Sequence, residues 1–129
     1  MIVIGYTTDL YGHAALEHGV AEAKLRQTSL LVINSTQGDS YVDAAFAHTT
    51  EVHNLEDVLT ESGVAFEVEQ PVGVYVADAL LAAMDRPDAE LLVIGIRHRS
   101  PVGKLLLGSA SQRLLLECPK PVLAVKPVE

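Results

Sequence analysis

The chain has one cysteine, Cys118, and no tryptophan in its 129 residues. A single thiol excludes a disulfide framework and fits a reducing compartment. Aromatic residues make up only 5%, so a core has to be built from Leu, Val, Ile and Ala, which suits a parallel sheet covered on both faces. No apolar run approaches the ~20 residues of a membrane span. The opening MIVIGYTTD lacks the basic stretch of a signal peptide. The expected compartment is therefore the cytoplasm. Basic residues are scarce over most of the chain: residues 1–94 hold three Lys or Arg against fifteen Asp or Glu. With a net charge of −8, neither nucleic acid nor an anionic membrane is an expected partner.

What is present is globular. The composition is 49% hydrophobic and 20% charged, and the length suits one domain, 1–129, with a core of its own. Ile2–Tyr6 and Ser29–Asn34 are short, almost wholly apolar runs, the pattern of buried strands. Leu91–Gly95 and Val122–Val125 repeat that pattern. Val64–Gln70 alternates, with Phe66 and Val68 against Glu67 and Glu69, as an edge strand with one wet face does. Helical spacing runs through Gly12–Gln27, where Ala15, Leu16, Val20, Ala23 and Leu25 supply the apolar stripe. It returns in Val42–Ser62, closed by Gly63, and in Val74–Asp85. A last helix, ASQRLLLEC, opens at Gly108–Ser109 and ends at Cys118–Pro119. Strand and helix alternate throughout, so the fold class is α/β: an open five-stranded parallel sheet with helices on both faces and right-handed crossovers.

Leu91–Lys126 carries the chemistry. In an open parallel sheet, ligands bind beyond the carboxyl ends of the strands. Gly95 marks such an end, and Gly108 and Ser109 begin a helix whose unpaired amides favour an anion. Glycine at both places removes the Cβ from the path of a ligand. Arg97, His98, Arg99 and Lys104 lie between them, and residues 95–129 hold six Lys or Arg against two Asp or Glu. The combination predicts an anion site for a nucleotide phosphate. Read singly, each residue also has an ordinary role: Gly95 as a strand end, Ser109 as a helix cap, the cations as solvated surface.

The segment resembles the universal stress protein family. Its nucleotide-binding members carry a glycine, two residues, a second glycine, nine residues, then Gly-Ser or Gly-Thr. Here Gly95 takes the first place, His98 replaces the second glycine, and Gly108-Ser109 close the motif. The resemblance implies strand order 3-2-1-4-5. It implies ATP or another adenine nucleotide as ligand, with or without Mg²⁺. Tyr6, Thr7 and Asp9 after the first strand, with Ile33 and Asn34 after the second, then face the base and ribose. The usual aspartate of the family falls at Thr7, which supplies no carboxylate. Gly95, Arg97, His98 and Arg99 flank the ribose and phosphates, and the amides of Gly108, Ser109, Ala110 and Ser111 hold the phosphates. A homodimer through Val122, Leu123, Ala124 and Val125 is also implied. If His98 and Thr7 disable the site, the alternative is a member that acts through protein contacts.

Sharper motifs are absent. Gly103-Lys104 is followed by Leu105, so there is no P-loop, and no G-x-G-x-x-G or G-x-S-x-G occurs. His13 and His18 are five apart, as are His48 and His53, roughly 140° around a helix, so neither forms the metal-binding i,i+4 pair. No general base is evident, and slow hydrolysis of a bound ATP is the most catalysis expected.

Overall fold

The computed structural model describes residues 1–35, 47–96 and 108–128. Five strands alternate with four helices: β1 (Ile2–Gly5), α1 (Leu10–Arg26), β2 (Leu30–Ile33), α2 (Thr49–Ser62), β3 (Phe66–Glu69), α3 (Val76–Met84), β4 (Leu91–Gly95), α4 (Ser109–Glu117) and β5 (Val122–Val125). The strands form one sheet in the order β3-β2-β1-β4-β5, with every pairing parallel. β1 pairs on both sides, in register Ile4↔Val32 and Ile4↔Val93. This central position explains its continuous apolar run, since both of its faces are covered. β3 lies at one edge and alternates half-buried Phe66 and Val68 with exposed Glu67 and Glu69.

Two cores flank the sheet. On one face Ile2, Ile4, Leu30 and Val32 pack under α1 and α2. On the other, Val3, Leu31, Ile33 and Leu92 pack under α3 and α4. These core residues are at most 2% exposed, so hydrophobic burial at about 25 cal/mol per Å² is the main term holding the layers together. The buried face of α1 is made of small residues: Gly12, Ala15, Gly19 and Ala23 face the sheet with Leu16. Leu25, expected in that stripe, is 79% exposed. At about 100° per residue it falls on the far side of the helix. Helix ends follow local chemistry. The Asp9 carboxylate caps α1, and Gly63 closes α2 with φ 77°. Among the described residues, no helix is long and apolar enough to cross a membrane.

The N-terminus is tied to the same core. Met1 is buried, and its ammonium donates to the Asp88 carbonyl at 2.8 Å and to Glu90 Oε2 at 2.9 Å. Arg26 approaches the other Glu90 oxygen at 3.6 Å. The hydrogen bond from the ammonium, aided by Arg26, holds the Glu90 carboxyl below the usual carboxylate range. A lowered carboxyl pKa stabilises the fold above the unfolded-state value of about 4.3. That contribution is lost as pH falls through the folded value. The carboxylate is 40% exposed, so water screens the pair and its contribution stays below about 1 kcal/mol. Glu90→Gln should slightly lower the urea midpoint at pH 7 and shrink its decline between about pH 5 and 3. Parallel pH profiles for wild type and variant would remove Glu90 from this role.

Candidate functional site

The carboxyl ends of the strands lie side by side, and one side chain binds three of them. Asn34, 1% exposed, donates through Nδ2 to the Tyr6 carbonyl at 2.8 Å. Its Oδ1 accepts from the Ala47 amide at 2.6 Å and from Gln70 Nε2 at 3.1 Å. Gln70 also donates to the Ala47 carbonyl at 2.7 Å. The ends of β1, β2 and β3 and the approach to α2 are thereby joined in one buried polar cluster. The neighbouring Ile33 side chain is 2% exposed, and its carbonyl accepts from the Tyr6 amide at 2.9 Å. The side chains of Ile33 and Asn34 are thus part of the packing.

The turn after β1 is equally constrained. Asp9 Oδ1 accepts from Thr7 Oγ1 at 2.6 Å, from Tyr11 N at 3.1 Å and from Gly12 N at 3.0 Å. Asp9 therefore acts here as a helix cap, and Thr7 directs its hydroxyl at that carboxylate. The first turn of α1 presses on the strand ends. A Cβ on Gly95 would sit 2.1 Å from the Tyr11 carbonyl oxygen, and one on Gly12 would sit 1.7 Å from that of Thr7. The missing Cβ at Gly95 is thus required by the chain's own α1, whatever else approaches there.

Gly108 differs. It precedes α4 with φ −61° and ψ 156°. Among the described residues nothing lies within 4 Å of the place its Cβ would occupy. The Gly108 carbonyl accepts from Gln112 N at 3.0 Å, which leaves the Ser109, Ala110 and Ser111 amides with no earlier carbonyl in the helix. The starts of α3 and α4 share a hollow of about 230 Å³ lined by Tyr75, Val76, Ala77, Ser109, Ala110 and Arg113. Two helix N-termini thus point their positive dipole ends to one place. Arg113 is already paired, with Asp78 at 2.7 Å and Glu117 at 3.1 Å.

The cationic excess after Gly95 is not gathered wholly at this edge. Lys120 donates to the carbonyls of Arg86 and Ala89, each at 2.8 Å, beside the starting ends of β4 and β5. Arg97, His98, Arg99 and Lys104 lie outside the described residues. Tyr6 turns to the α1–α2 face. Its ring meets His13 edge-on, with centroids 5.7 Å apart. Burial, with the nearby charges of Glu51 and Asp9, raises the phenol above its ordinary pKa. Sequence reasoning missed Gly12, Gln70 and Ala47. Gln70 had no visible signal, whereas the glycine spaced for the first turn of α1 did offer one.

A model of the universal stress protein family matches residues 1–126. The chain is 70% identical over 127 residues to a universal stress protein of Mycolicibacterium smegmatis, covering 98% of each. Among solved structures it resembles a universal stress protein from Archaeoglobus fulgidus, with TM-score 0.79, 29% identity and 97% of each chain covered. It also resembles one from that organism in complex with dAMP, with TM-score 0.67, 22% identity, and 97% of this chain and 96% of the other covered. A universal stress protein in complex with cAMP gives TM-score 0.72 at 22% identity, over 98% of this chain and 96% of the other.

Replacing Asn34 by Ala should cost about 3 kcal/mol in urea unfolding, because it strands buried partners. Asn54→Ala, at an exposed position, should stay within about 0.5 kcal/mol. Gly95→Ala should likewise cost about 3 kcal/mol through overpacking, whereas Gly108→Ala should cost about 1 kcal/mol or less. Equal costs at the two glycines would contradict this division.

Proposed function

The chain belongs to the universal stress protein family, and on that premise we propose that it binds an adenine nucleotide at the carboxyl edge of its sheet. The carrying observation is Gly108. It is the one glycine of the loop motif with open space before it among the described residues, at the head of an α-helix whose first amides face an anion. Two structural relatives that hold dAMP and cAMP support the ligand class. The phosphates sit on the amides of Ser109, Ala110 and Ser111. The base and ribose run toward the ends of β1 and β2, against the main chain of Thr7, Ile33 and Asn34. Arg97, His98 and Arg99 supply the cationic side of the phosphate site.

Any Mg²⁺ arrives with the nucleotide, carried by its phosphates. With Asp9 Oδ1 occupied as a cap, the reading is of a cytoplasmic binding module with a role in stress response. It pairs with a second copy through β5.

One observation favours the competing reading, a member that works through protein contacts. Thr7 stands where an aspartate is usual in nucleotide binders, and its hydroxyl is engaged with Asp9 at 2.6 Å. Calorimetric titration of the whole protein with Mg-ATP, AMP and cAMP separates the two. The nucleotide reading expects micromolar binding of at least one of them. It also expects Gly108→Val to weaken that binding at least tenfold while the unfolding midpoint moves little. No heat with any of the three, from folded protein, would transfer the function to protein contacts.

A further inference from the structure

The two faces of the sheet are covered differently. α3 and α4 pack on each other, and α1 and α2 leave a cleft of about 610 Å³ between them. Its walls are helical stripes. On α1, Leu16 and Val20 line it, and on α2, Leu55 and Val58. Val58 is 53% exposed, an unusual position for a branched apolar side chain that faces a hollow. Such a volume, mostly apolar with a few polar groups, is typical of a small-molecule site.

The polar groups are not evenly spread. Both helices follow parallel strands and start at the carboxyl edge, so His13 and Glu17 lie toward one end of the cleft with Glu51 and Asn54. Val20 and Val58 lie toward the other, with Ser62 beyond. No Lys or Arg lines the cleft among the described residues. Neither Glu17 nor Glu51 has an ion pair among them. α2 adds Glu56, Asp57 and Glu61 and has no Lys or Arg, with His53 as its one imidazole. The cleft therefore offers an apolar trough with an anionic end that no Lys or Arg pairs with among the described residues, His13 being its one nearby imidazole.

We propose that the α1–α2 cleft binds a small amphipathic cation, an apolar body carrying a protonated amine that pairs with Glu51 and Glu17. This site is separate from the carboxyl-edge hollow at Ser109 and Arg113, and the proposal stands whether or not nucleotide binds there. The carboxylates of the described lining repel a phosphate ligand. A neutral lipid would leave both carboxylates unpaired.

The test uses decylamine as probe, below its micelle concentration, with decanoate and decanol as controls of the same length. Calorimetry should show saturable one-to-one binding of the amine, at least tenfold tighter than decanoate. Octylamine and hexylamine should weaken stepwise, several-fold for each pair of methylenes removed. Glu51→Gln should weaken decylamine at least fivefold and leave decanol unchanged. Val58→Arg should abolish amine binding, and both positions are open enough to keep the fold, which circular dichroism checks. Saturating Mg-ATP should not compete. Equal affinity for decanoate, no dependence on chain length, or an unchanged Glu51→Gln would each overturn the proposal. Broadening of cleft resonances that follows protein concentration instead of probe would also overturn it, and would make this face a contact between copies.

Discussion

The carboxamide of Asn34 is the interaction on which the carboxyl edge of the sheet depends. Hydrophobic burial joins the layers, but it does not fix how three parallel strands end relative to one another. A buried amide with fixed donor and acceptor sites does. Nδ2 holds the end of β1, and Oδ1 holds the approach to α2 and, through Gln70, the end of β3. An unpaired polar group here would cost more than the bonds return, so the cluster is satisfied as a whole or not at all. No buried side-chain nitrogen or oxygen among the described residues lacks a partner. The same knot sets the position of α2, and hence the width of the cleft between α1 and α2.

From this constraint the two faces acquire different chemistry. On one, α3 and α4 converge with their N-termini at the carboxyl edge, and glycine keeps the head of α4 open. That face offers amide dipoles to an anion. On the other, α1 lies close to the sheet through small residues while α2 stands apart, and the space left is bordered by carboxylates. Charge is thus segregated along the chain and across the molecule.

The sequence made much of the fold legible through period alone. Unbroken apolar runs marked β1, β2 and β4 as buried on both faces, and alternation at Phe66–Glu69 marked the edge. Strand order came from the family resemblance, because crossover length does not decide on which side a strand is added. Local structure was legible where it rests on neighbours in sequence, as at Gly108 and Ser109, which open α4 where the sequence placed a helix start. Structure was illegible where contact is long-range. Asn34 reads as a strand end placed toward a ligand, and nothing local shows its partners, which are 13 to 36 positions away. Gly95 reads as a ligand approach, and it also has a packing reason, the closeness of Tyr11, which period and propensity do not reveal. Leu25 shows the reverse error, an apolar residue counted into a stripe that its angle around the helix excludes. The cleft had no signal at all, since it exists in the distance between two helices and in no residue of either.

The two borders of the sheet are unlike. β3 presents Glu67 and Glu69 to solvent along one border. β5 presents an apolar VLAV between Pro121 and Pro127 along the other, half-buried at Val122, Leu123 and Ala124 and buried at Val125. Negative charges and short strands discourage a further strand from adding to an open edge. Strand addition therefore has one hospitable border at most, the apolar β5 side, and cannot propagate through both edges of the sheet. The molecule carries in its edge composition a guard against fibrous polymerisation, independent of whatever its sites bind.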